Sequence, residues 1–92
     1  MSNDAALQRG PIPPPTLSTL LTTLGTQTLL MLGQIEHPIT KKKEVDGEQA
    51  RHFIDLLSML EEKTAGNRNP DESHLLERLL SDLRMMYVQV KK

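Results

Sequence analysis

Two histidines sit three residues ahead of a carboxylate, His52 with Asp55 and His74 with Glu77, a spacing that places each pair on one helical face. Metal sites inside helical bundles use the order Glu-x-x-His, from two helices, with further inward carboxylates. Here the order is reversed and no buried carboxylate is expected to supplement it, so the pairs read as solvated polar groups and no metal is expected. Serine chemistry has no better footing. Ser58, Ser73 and Ser81 lack a histidine at a helical-neighbour spacing, and although His74 adjoins Ser73, adjacent helical residues point in different directions. The chain has no cysteine, which excludes thiol nucleophiles, thiolate metal sites and disulfides. No enzyme activity, catalytic residue or cofactor is expected.

The charged clusters allow other chemistry. Arg51 and Asp55 are four residues apart, and an antiparallel helical hairpin folded at residues 65–69 brings Arg84 near the same level. Asp55 is expected to accept hydrogen bonds from Arg84, with Arg51 alongside. Such a group can hold an anion or a peptide carboxylate, or simply fix helix register; the structural ion pair is the expected role. Lys41-Lys42-Lys43 could touch phosphate, but Glu44 and Asp46 stand beside them, and the formal net charge of the chain is −1. Three solvated lysines are the expectation. A helix-turn-helix reading of the last two helices fails on charge, because Asp71, Glu72, Glu77 and Asp82 offset Arg78 and Arg84. Phe53 and Tyr87 are the only aromatics, too few for a base-stacking platform.

These groups must be positioned by helices, and the first of them is unusual. From Thr16 to Ile35 the chain runs 20 residues without a charged side chain. Leu17, Leu20, Leu21, Leu24, Met31, Leu32 and Ile35 recur at helical spacing, with Thr28 completing the stripe. A second stripe, Ser18, Thr22, Gly25, Thr26, Leu29 and Gly33, is mostly small and would let another backbone approach closely. Only Thr19, Thr23, Gln27 and Gln34 form a side suited to water. An ordinary surface helix carries charge on its open face. The expectation is that the chain covers the leucine stripe and a second copy covers the small one, giving a homodimer or higher oligomer. The alternative is a peripheral membrane factor that docks this helix on lipid or on a membrane protein. A true span is disfavoured by Ser18, the threonines, Gln27 and Gln34, and by the absence of a Trp or Tyr belt.

Residues 1–15 read as a proline-rich tail, in which Pro11 and Pro13-Pro14-Pro15 remove backbone donors and hold extended geometry. The tail is expected to act as a spacer; the alternative is a proline ligand for a partner domain. No secretory signal is visible in Met1-Ser2-Asn3-Asp4, and a cytoplasmic protein is expected. Residues 16–92 form one domain with helices over about 17–35, 47–65 and 70–90. Thr16 caps the first, and His37-Pro38 is expected to end it. Asp46 with Gln49 opens the second, whose core face is Ala50, Phe53, Ile54, Leu57, Leu60 and Thr64. Asn69 caps the third, Pro70 takes its first position, and Asp71 and Glu72 face the positive end of its dipole. The fold class is therefore all-α: a long uncharged helix followed by an antiparallel hairpin, a three-helix bundle completed by oligomerisation.

Several segments together carry a family likeness. They are Pro14-Pro15-Thr16 before the uncharged helix, Ala50-Arg51-His52-Phe53-Ile54-Asp55-Leu56-Leu57, Glu62-Lys63-Thr64-Ala65-Gly66-Asn67, and Leu83-Arg84-Met85-Met86-Tyr87-Val88. In these the chain resembles a bacterial family known as domain of unknown function 1844, over roughly residues 11–90. The loop from His37 to Glu44 is more basic than the family's pattern, and nothing is carried over to it. The resemblance implies a short, cytoplasmic, all-helical protein, and brings no activity, cofactor or catalytic residue.

Overall fold

The computed structural model describes residues 11–91 and contains three helices: α1 (Leu17–Met31), α2 (Gly47–Lys63) and α3 (Pro70–Val90). Each starts where a short polar side chain can accept from a backbone donor that the helix leaves unpaired. Thr16 accepts from the Thr19 amide at 3.1 Å and Asp46 from the Gln49 amide at 3.1 Å. Asn69 and Glu72 form a reciprocal capping box, with bonds of 2.8 and 2.9 Å and Pro70 just inside. No strand occurs among the described residues, apart from an isolated antiparallel bridge between Leu32 and Val45.

α1 is shorter than its apolar pattern suggests. It stops at Met31 rather than near Ile35, before His37-Pro38 can act. Gly33 takes φ +73°, the Gly33 amide donates to the Leu30 carbonyl at 3.1 Å, and the Gln34 amide donates to Leu29 at 3.0 Å. This is a Schellman stop, which glycine enters without the penalty a Cβ imposes. The chain then turns back at once. The Asp46 amide donates to the Met31 carbonyl at 2.7 Å, and the Leu32–Val45 bridge holds the base of the connecting loop. α2 therefore starts beside the end of α1 and runs antiparallel to it.

The 64–69 turn, with Gly66 at φ +84°, reverses the chain again into α3. Lys91 ends within 3.5 Å of where a Cβ on Gly47 would lie, so the C-terminus of α3 meets the start of α2. The bundle is thus up-down-up, and every helix touches both others. Its core consists of Leu21 and Leu32 from the α1 segment, Ala50, Ile54 and Leu57 from α2, and Leu76, Leu80 and Leu83 from α3. Phe53 and Leu60, expected in that core, are only half-buried.

Most of the expected leucine stripe of α1 faces the core: Leu21, Thr28 and Leu32 are buried, Leu17, Leu24 and Met31 pack against it, and Gly25 and Leu29 widen it. Leu20, by contrast, is 43% exposed and Ile35 lies beyond the helix, 37% exposed. Thr28 satisfies its hydroxyl by donating to the Leu24 carbonyl at 2.7 Å, so a threonine can occupy the core without an unpaired donor. Gly25 faces α3, and a Cβ there would lie 3.0 Å from Leu79 Cδ2. Gly25→Leu is expected to lower stability by about 1–3 kcal/mol through overpacking. Gly33→Ala is expected to cost about 1–2 kcal/mol through left-handed strain, with Val45 Cγ2 3.0 Å from the new methyl adding to it. Chemical denaturation monitored by circular dichroism measures both.

Candidate functional site

The six residues expected to face a second copy do not form one open surface. Thr22 and Thr26 are exposed and Ser18 is half-buried, but Gly25 is covered by Leu79 of the same chain. Leu29 packs against the core, and Gly33 lies past the helix end, close to Val45. Gly25, Leu29 and Gly33 thus serve packing within the chain. What α1 leaves open is an overlapping sector, in which Thr22 and Thr26 are joined by Leu20, Thr23 and Gln27, and it carries no charge.

The expected ion-pair group is also rearranged. Arg51 Nε lies 4.0 Å from Asp55 Oδ2, with both side chains about 70% exposed (72 and 69%). Arg84 does not reach Asp55. Its Nη2 donates to Ser58 Oγ at 3.4 Å, a long contact. The reason is register: Arg84 stands level with Ser58, and Asp55 lies three residues, about 4.5 Å, further along the axis. A carboxylate so exposed gains little from a single cation, so this cluster offers no built anion site.

The lysine loop is ordered by its own backbone. The His37 amide donates to the Lys42 carbonyl and the Lys41 amide to the His37 carbonyl, each at 2.9 Å. His37 Nδ1 accepts from the Ile39 amide at 3.1 Å and from the Thr40 amide at 3.4 Å, and Lys41 adopts φ +61°. Lys41, Lys42 and Lys43 all point into solvent, and so do Glu36, Glu44 and Asp46 around them. Within that stretch the formal charges cancel, which leaves no concentrated attraction for phosphate.

Among the described residues no group of three or more His, Asp or Glu side chains is placed to hold a metal ion. No described helix is long and apolar enough to cross a membrane. His52 and His74 are both exposed, the former tilted against Phe53 with ring centroids 5.8 Å apart.

Two further features lie outside the groups expected from the sequence. Arg68, in the turn before α3, has Nε and Nη1 shielded from solvent without a hydrogen-bond partner among the described residues. An open cleft of about 680 Å³ runs along α3, with Glu61 of α2 at one wall and Leu80 among the residues that line it. Glu77, Ser81, Arg84 and Val88 recur along it at spacings of four and three, so they form one line on the helix. Met85 and Val88 are 63 and 60% exposed there. The signal was present in the sequence as two apolar residues on the outer side of α3, but Leu83 and Met86 beside them masked it.

Fold and surface together define a small all-helical protein that presents apolar helix faces and, among its described residues, no assembled catalytic or metal centre. The chain belongs to the family described as Domain of unknown function (DUF1844), whose family model matches residues 14–89. No curated protein and no solved structure matches it.

Because Asp55 pairs, among the described residues, only with Arg51, and at the surface, Asp55→Ala is expected to shift unfolding free energy by less than about 0.5 kcal/mol. Urea denaturation checks this; a loss of 2 kcal/mol or more, on the order of a buried pair, would restore the cross-hairpin role.

Proposed function

We propose that this chain is a self-associating helical interaction module, with no catalytic role, that works as a homodimer or higher oligomer in the cytoplasm. One observation carries the reading: a small core beside helix faces that remain apolar. Eight apolar side chains are buried among the described residues, while Leu20, Met59, Met85 and Val88 on the helices stay 41–63% exposed. Met85 and Val88 are three residues apart, one helical turn, so their exposure is contiguous rather than scattered. Covering either is worth about 1 kcal/mol, given that roughly half of each side chain is still open. The uncharged open sector of α1 supports the same reading, since a helix facing water alone normally carries charge there.

Two other readings have less behind them. Docking on a membrane through α1 would favour a basic polar face on that helix, and α1 has no basic residue. Nucleic-acid binding through Lys41–Lys43 meets the acidic neighbours already described. The glycine-lined contact first expected for the interface is not part of this proposal, because Leu79 occupies it.

Sedimentation equilibrium at micromolar concentration should give a mass of at least twice the chain's 10.4 kDa. A monodisperse monomer up to 100 μM, roughly a Kd weaker than −5.5 kcal/mol, would remove the proposal.

A further inference from the structure

Resting on the reading that the chain self-associates, we infer that two copies meet through α3, antiparallel, about a twofold axis at Leu80–Ser81. Glu77 and Arg84 are seven residues apart, two helical turns, so both lie on the outer line of α3 about 10.5 Å from each other. Both side chains are exposed and both line the cleft. When two such helices cross antiparallel with the dyad midway between these positions, Glu77 of each copy faces Arg84 of the other. The surface is then self-complementary, as a twofold interface must be. A parallel arrangement would set Glu77 against Glu77 and Arg84 against Arg84, which like-charge repulsion disfavours.

The residues between and beyond the charges suit the same geometry. Ser81, at the crossing point, is small and lets the two backbones approach. Met85 and Val88 lie on the C-terminal side of the dyad, so each copy's pair covers the N-terminal half of the other's α3. Glu61 of α2 lines the cleft as well and adds a second carboxylate within the surface that receives Arg84. Among the described residues Arg84 has only the 3.4 Å contact with Ser58, so turning toward a partner carboxylate sacrifices little.

The test is a charge swap on the full chain, read by sedimentation equilibrium. Glu77→Arg alone and Arg84→Glu alone should each weaken the dimer at least tenfold in Kd. An equimolar mixture of the two variants should recover a dimer, because each mixed pair regains opposite charges at both contacts, and the double variant E77R/R84E should recover it too. Thr23→Lys on the open face of α1 should leave association unchanged. If the wild-type chain dimerises but neither reversal weakens it, or if Thr23→Lys does so instead, this interface is wrong while self-association stands. A wild-type monomer overturns both. Circular dichroism confirms that each variant is folded, and Glu77→Arg, at an exposed position with no intrachain partner among the described bonds, keeps the test decisive should Arg84→Glu unfold.

Discussion

The contact between Gly25 of α1 and Leu79 of α3 ties the first helix to the last. A glycine in the middle of a helix costs about 1 kcal/mol relative to alanine, so its position asks for a compensating contact. Leu79 supplies it, lying 3.0 Å from where a Cβ would stand. With Gly25 and Thr28 on the inner side, α1 needs no bulky side chain at its centre to touch its neighbour, and Leu21 and Leu32 anchor either end of that line. The same economy keeps the core small. A three-helix protein of this length that uses a glycine and a threonine on its inner face buries fewer apolar groups and leaves others outside.

Where those outside groups lie follows from the hairpin register. α2 and α3 place Ser58 level with Arg84, which frees Asp55 to remain a surface partner of Arg51. Arg84, held by a hydroxyl rather than a carboxylate, keeps its charge available on the outer line of α3. The exposed methionine and valine share that line with Glu77. One residue series therefore combines an apolar strip with opposite charges two turns apart, an arrangement that matches a copy of itself in reverse.

The starts of α2 and α3 are legible in the sequence because caps act locally. Asp46 with Gln49, and Asn69-Pro70 with Glu72, depend on a hydrogen bond within four residues, and nothing distant competes with it. The stop of α1 is hidden in the sequence for the same local reason seen from the other side. Gly33 looks like one more small residue on a helical stripe, whereas its positive φ and the return of the chain at Val45 make it the terminator. His37-Pro38 never had a helix to end. Instead His37 organises the lysine loop by accepting two backbone amides, a role that no spacing pattern announces.

Periodicity, caps and composition are properties of neighbouring residues, so the helical character of the chain, the starts of its three helices and the lack of charge in the first can be read from the residues alone. The leucine side of that helix faces inward as its pattern implies, but the packing of the bundle adds Gly25 and Leu29 from the small stripe and leaves Leu20 outside, because how near a second helix comes is not written in helical periodicity. Only the tertiary structure decided that Arg84 meets Ser58, since a shift of three residues between antiparallel helices changes every cross-hairpin partner while leaving each helix's own pattern intact.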